Sequence, residues 1–340
     1  MFATWKARVM ASPRGLLRWV ALAIGAYVAL MGIAMAVLDH DPSQFVVRDA
    51  ALKWLPATHK PQVRGEITTA TTIEILHRLL HKRGGYLSND VLPPGAWMDN
   101  VPNWEWGVLV QLRDMAKALR NDFSRSQTQS TEDPDLIRAD NLLSISNDAW
   151  MFPAAEREYT DAEHALQGYL QRLGNKSQGD TQFYARADNL RVWLSLVEKR
   201  LGDLSQRLSA SVGQVRINTD LAGDAAAEQS TATSEVRMVK TPWTQIDDVF
   251  YEARGATWAL LHLLRAIEQD FGGVLEKRNA VVSLRQIIRE LESTQDPVWS
   301  PLILNGEGFA LVANHSLVMA SFISRANAAV IDLRMLLERG

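Results

Sequence analysis

Residues 84–107, GGYLSNDVLPPGAWMDNVPNWEWG, gather the side chains best suited to chemistry. Tyr86, Trp97, Trp104 and Trp106 stand beside the carboxylates Asp90, Asp99 and Glu105 and the amides Asn89, Asn100 and Asn103. Aromatic rings stack on the apolar faces of sugars, while amides and carboxylates bond their hydroxyls. A facing pair of carboxylates could also hydrolyse a glycosidic bond, at a separation that sequence alone does not give. The competing reading is structural: the loop wraps the core, its Trp rings plug it, and its Pro and Gly residues fix turns. Buried aromatics are commoner than binding sites, which favours that reading. The candidate binding residues are Tyr86, Asn89, Asp90, Trp97, Asp99, Asn100, Asn103, Trp104 and Glu105, and none is assigned a catalytic role.

Glu74, His77 and His81 form an E-x-x-H-x-x-x-H array on one face of a helix. Carboxylate–imidazole pairs at this spacing occur in di-iron bundles, but those need two such motifs and further Glu residues. Asp161-x-x-His164 is the only loose echo, and the H-E-x-x-H zinc pattern is absent. A polar exposed face is therefore expected, with no metal and no cofactor. His262 and His315 lie on apolar helices and read as hydrogen-bonded core or interface residues. There is no nucleophile elbow, P-loop or dinucleotide fingerprint.

Composition narrows the classes. The net charge of −3 leaves no basic footprint for nucleic acid. Cysteine is absent, so disulfides, thiolate metal sites and cysteine nucleophiles are excluded. Hydrophobic residues make up 47% of the 340, ample for a packed core.

The elements that must position these residues begin with an uncharged run, Trp19–Leu38. A helix of about 20 residues crosses the ~30 Å hydrocarbon core of a bilayer. Lys6, Arg8, Arg14 and Arg18 precede the run and Asp39 and Asp41 follow it, which keeps the N-terminus cytoplasmic and translocates the rest. A cleaved signal peptide competes, since Ala34-Met35-Ala36 suits a signal peptidase, but the apolar run is longer than a usual signal core.

Beyond the anchor, helical periodicity dominates. A short helix fits Phe45–Leu55, and another, capped by the threonines at 68–72, carries Ile73, Leu76, Leu79 and Leu80. After the loop, helical spacing covers Val108–Phe123. A helix from Pro134, capped by Asp133, is expected to kink at Pro153 and continue to Leu173. Leu190, Leu194, Val197, Leu201, Leu204, Leu208 and Ser211 form a heptad seam, read as one helix of an antiparallel bundle, with a self-dimerising coiled coil as the alternative. Residues 213–240 lack aromatics and read as a flexible linker. Helices then follow from Pro242 to Phe271, over Ala280–Leu291, and from near Phe309 to Leu337. Trp106–Phe123 weakly resembles Arg254–Phe271, and RADNL occurs at both 138 and 186. Either match arises from shared apolar spacing or marks two related helical hairpin units.

The expected fold is therefore all-α: an N-terminal transmembrane helix followed by a periplasmic antiparallel helical bundle. Its divisions are 1–18 cytoplasmic, 19–38 transmembrane, 39–212 a first helical unit, 213–240 a linker and 241–340 a second unit packing on the first. A single span followed by Arg83–Gly95 (RGGYLSNDVLPPG) and Asp99–Gly107 (DNVPNWEWG) resembles the DUF2333 family of proteobacterial membrane proteins. That resemblance covers most of the chain and implies a Gram-negative inner-membrane location. The family has no assigned function, so it brings no site residues. The expected role is an envelope scaffold or interaction protein, bound to the lipid bilayer through 19–38 and to another envelope protein or cell-wall component. The alternative is an envelope glycan-binding or glycan-cleaving protein that uses the loop at 84–107.

Overall fold

A computed structural model describes residues 13–55, 63–126, 131–175, 181–217, 236–300, 302–306 and 311–339. The fold is all-α. Its first helix, α1 (Pro13–Leu38), contains an apolar stretch, Leu16–Leu38, long enough to cross a membrane. Residues 16–30 are all exposed, whereas Met31, Ala34, Met35 and Leu38 are half-buried. That spacing of three and four places one stripe of the last two turns against the domain, while the residues before it stay exposed.

The domain is built from α2 (Val47–Trp54), α3 (Glu66–His81), α4 (Asn100–Ala118), α5 (Pro134–Leu143), α6 (Ala155–Leu173), α7 (Ala187–Ser209), α8 (Ile246–Asp270), α9 (Gly272–Lys277), α10 (Val281–Ser293) and α11 (His315–Glu338). One continuous apolar core runs from Val47 to Leu337. The heptad residues Leu190, Leu194, Val197, Leu201, Leu204 and Leu208 all face it. The seam of α7 is thus used inside the bundle, where ion pairs Arg191–Glu338 and Arg334–Glu198 tie it antiparallel to α11.

The repeated segments lie side by side. Helices α4 and α8 run parallel, and a side chain on Gly107 would overlap the Glu252 carbonyl, while one on Gly255 would overlap the Trp104 carbonyl. Gly107 matches Gly255 in the repeat, and Trp104 matches Glu252, so the contact is reciprocal about a local two-fold axis. At the far end the matched Phe123 and Phe271 rings pack 5.3 Å apart. The neighbours repeat as well: α3, α4, α5 and α6 contact one another in the pattern of α7, α8, α10 and α11. The matched pair therefore sits at the centre of two four-helix sets that divide between Leu173 and Ala187. The two RADNL copies do not share this relation, since one lies on α5 and the other at the start of α7.

Several local expectations need correction. The threonines at 68–72 are not caps but buried residues within α3, whose N-cap is Gly65 at φ +92°. The cap arrives from another helix: Asp270 accepts from the Thr68 N–H at 2.7 Å and its hydroxyl at 2.6 Å. The irregular loop ends at Asp99, so Trp104, Glu105 and Trp106 belong to α4. Residues 134–173 form two helices separated by 144–154, not one kinked helix; Asp133 does cap the first. Part of 213–240 is ordered as an antiparallel hairpin of β1 (Gln214–Ile217) and β2 (Val236–Val239), and 218–235 fall outside the described residues. The last helix starts at His315, with Leu311 fully exposed before it.

Candidate functional site at the α1 end of the bundle

Helix α1 enters the domain through a set of fixed contacts. Gly84 lies against Leu38, and Arg254 Nε donates to Asp41 at 2.6 Å. The Phe45 ring stacks on His262 at 4.0 Å, and the Phe45 N–H donates to His262 Nε2 at 3.0 Å. His262 Nδ1 lies 2.7 Å from the Trp258 carbonyl, so the neutral ring donates there and accepts from Phe45. Burial pushes the pKa of His262 down to about 3. Protonation would cost the imidazole its acceptor and leave a buried cation.

The segment that follows α3 splits in two. Its inner half is consumed by the fold. Glu105 is fully buried at the start of α4, where it accepts from the side chains of Lys82 and Ser88 and from the N–H groups of Leu87 and Ser88, each at 2.8 Å. Lys82 also bonds the Gly85 carbonyl, which closes the turn made by Gly84 and Gly85 in the left-handed region. Burial raises the Glu105 carboxyl above its ordinary pKa, while Lys82, Ser88 and the backbone donors oppose that rise. Trp104 is 1% exposed and packs on Trp258, with centroids 5.3 Å apart. Tyr86 is buried against Tyr159 and donates to the Asn147 carbonyl at 3.1 Å. The buried Asn89 donates to the Ala149 carbonyl at 2.9 Å and to Glu156 at 2.7 Å.

The outer half turns towards α1. Asp90 is exposed and folds over Gly95, where any side chain would overlap its carboxylate. Asp99 caps α4 by accepting from the Asn100 N–H at 2.8 Å. Asn103 bridges to the start of α8 through Asp248 at 2.7 Å. Asn100 lines a small cleft with Met35, Asp39 and Met98. Trp97 is half-exposed and meets Tyr27 of α1 edge-on, at 6.3 Å. The nine candidate residues thus divide into a buried group (Tyr86, Asn89, Trp104, Glu105) and a surface group (Asp90, Trp97, Asp99, Asn100, Asn103).

On the neighbouring face, Glu74, His77 and His81 line a polar cleft with His40, Lys53 and Arg78. Glu74 accepts from Lys53 at 2.8 Å, Trp54 at 2.9 Å and Arg78 at 2.8 Å, which leaves it no free role. His77 instead meets Glu163 of α6 at 3.2 Å, and donor atoms of His77, His81 and Glu163 lie within 4.8 Å of one another. This trio could hold a divalent ion. Sequence spacing missed Glu163 because it arrives from a helix 86 residues further on. His164 is exposed and Asp161 half-buried, and neither belongs to the trio.

A family profile described as "uncharacterized protein conserved in bacteria (DUF2333)" matches residues 12–340. The chain belongs to the DUF2333 family. No curated protein and no solved structure matches it. The RGGYLSND and DNVPNWEWG motifs of this DUF2333 chain are the two sides of the Glu105–Lys82 clasp, so the most distinctive part of its sequence builds the junction between α3, α4 and α1.

Proposed function

We propose that this chain is a single-pass, membrane-anchored helical scaffold of the bacterial cell envelope. Its bundle lies on the periplasmic side of the inner membrane and holds another envelope protein or a cell-wall component there. The observation that carries this reading is the use made of the Trp-rich segment. Two of its three carboxylates hold the fold, Glu105 in the buried clasp and Asp99 at a helix cap, its central Trp104 is core, and Asp90 is left at the surface with no second free carboxylate of the segment to face it. A glycosidase needs two carboxyl groups facing a substrate in an open cleft. The orientation follows from the basic residues before the span and Asp39 and Asp41 after it.

Two measurements test the reading. A reporter active only in the periplasm should work when fused after Gly340 and be silent when fused before Trp5; the reverse would overturn the orientation. The full-length protein in lipid nanodiscs should leave peptidoglycan fragments unchanged by mass spectrometry. Cleavage that Asp99→Asn abolishes would replace the scaffold with the glycan-cleaving alternative.

A further inference from the structure

The helices alternate in direction, so one end of the bundle collects the loops at 82–99, 144–154 and 240–245 and the described residues 294–300, 302–306 and 311–314. Contacts fix these loops to a common end: Tyr86 to Asn147, Asn103 to Asp248, and Arg254 to both Asp41 and the Asp296 carbonyl. The anchor leaves from the same end. Each of the four loops turns a tryptophan outwards: Trp97, Trp150, Trp243 and Trp299, the last two 86% and 95% exposed. Phe152 at 91%, Leu92 and Leu311 join them. An apolar cleft of about 430 Å³ opens beside Trp299.

The opposite end behaves differently. Its aromatics Phe123, Phe183 and Phe271 pack on one another, with centroids 5.3–5.7 Å apart. Among the described residues, exposed aromatics of the bundle are thus confined to the end from which the membrane helix emerges. An exposed apolar surface of this kind requires a partner. Trp is the residue that settles at a membrane interface, its ring in the apolar layer and its N–H at the headgroups. The partner is already adjacent: Tyr27, against which Trp97 packs, lies eleven residues before Leu38, about 16 Å down the anchor at ~1.5 Å per residue.

We propose that the anchor end of the bundle is a second membrane-binding surface, whose four loops insert tryptophan, phenylalanine and leucine side chains into the leaflet that the anchor leaves. The domain then sits flush on the bilayer rather than swinging on a tether. This rests on reading α1 as a membrane span. The exposed charges of these loops are Asp90, Asp99, Asp148 and Asp296 against Arg83 and Lys240, a net acidic set, so insertion is apolar and needs no anionic lipid.

The absence of cysteine allows a direct test. Full-length Leu30→Cys, Phe152→Cys, Trp299→Cys and Val282→Cys variants are each labelled with a polarity-sensitive fluorophore and reconstituted into phosphatidylcholine vesicles. Lipids carrying a nitroxide on the acyl chain then serve as quencher. Leu30 reports the anchor, Phe152 and Trp299 the proposed surface, and Val282 an exposed site at the opposite end. The labels at 30, 152 and 299 should be quenched at least twofold more than the label at 282, at both low and high salt. Quenching at 30 with none at 152 and 299 would overturn the surface and leave the anchor standing. No quenching at 30 would overturn the anchor reading, and the surface with it. Quenching at 152 and 299 that high salt removes would overturn the apolar mechanism.

Discussion

The two halves of residues 84–107 have similar compositions and opposite fates. In the inner half, Trp104 packs on Trp258 and Glu105 accepts four hydrogen bonds in a site with no solvent access. In the outer half, Trp97 stays half-exposed against α1, and Asp90 and Asp99 remain at the surface. Residue type does not separate them. What each side chain meets does: Tyr86 and Asn89 reach α6 and the turn before it, Trp104 reaches α8 and Glu105 closes on Lys82, whereas Trp97 and Asn100 turn to α1 and Asp90 and Asp99 stay with their own loop and helix cap. Aromatic and acidic residues crowded in sequence therefore need not form one site.

The largest effect expected on the inner half comes from its closest backbone contact. Gly255→Val would set a branched side chain against the Trp104 carbonyl, and no rotamer relieves an overlap with backbone. A loss of at least ~4 kcal/mol is expected, enough to abolish cooperative melting. Gly272→Ala meets nothing within 4 Å and should melt within a few degrees of wild type. Equal melting of the two variants would break the account of the α4–α8 pair.

Next comes the clasp. Lys82→Met leaves the Glu105 carboxylate buried without its cation, at a cost of about 3–5 kcal/mol. Adding Glu105→Gln removes that charge and should recover part of the loss. A double variant no better than Lys82→Met in chemical denaturation would show that charge compensation is not what holds the turn.

A smaller effect separates two buried groups by pH. The folded pKa of His262, about 3, lies below its ordinary value of ~6.5. Its contribution is complete above ~6.5 and is lost as pH falls towards 3, about 2 kcal/mol by pH 5. Burial raises Asp270 to about 6, so its contribution is complete below its ordinary value of ~3.9 and is lost as pH rises through 6. Relative to wild type, His262→Gln should therefore gain melting temperature as pH falls from 6.5, and Asp270→Asn should gain it as pH rises from 4 to 6. Differences that stay flat with pH would contradict both assignments.

The helices and the seam of α7 were legible because 3.6-residue spacing is a local signal that burial then uses. So was the Asp133 cap, where side chain and target N–H groups lie two and three residues apart. The Trp106–Phe123 match with Arg254–Phe271 proved physical because both helices need a glycine at the same place for a reciprocal contact. What stayed hidden was whatever depends on distant partners. Asp270 caps α3 from 202 residues away, so nearby threonines looked like the caps. Glu163 joins His77 across 86 residues. The start of α4 at Asn100 was masked by Pro102 and by an aromatic run that resembles loop sequence, although Pro is well tolerated in a helix's first turn.

The most direct test of the split is the melting temperature of the full-length protein with Trp97→Ala and with Trp104→Ala, measured side by side in lipid nanodiscs. Removing the buried Trp104 ring should cost ~3–5 kcal/mol and lower the midpoint by many degrees. Trp97→Ala removes a ring at the surface and should stay within about 0.5 kcal/mol of wild type. A Trp104→Ala variant that melts with wild type would contradict the account and return the whole segment to the status of a binding surface.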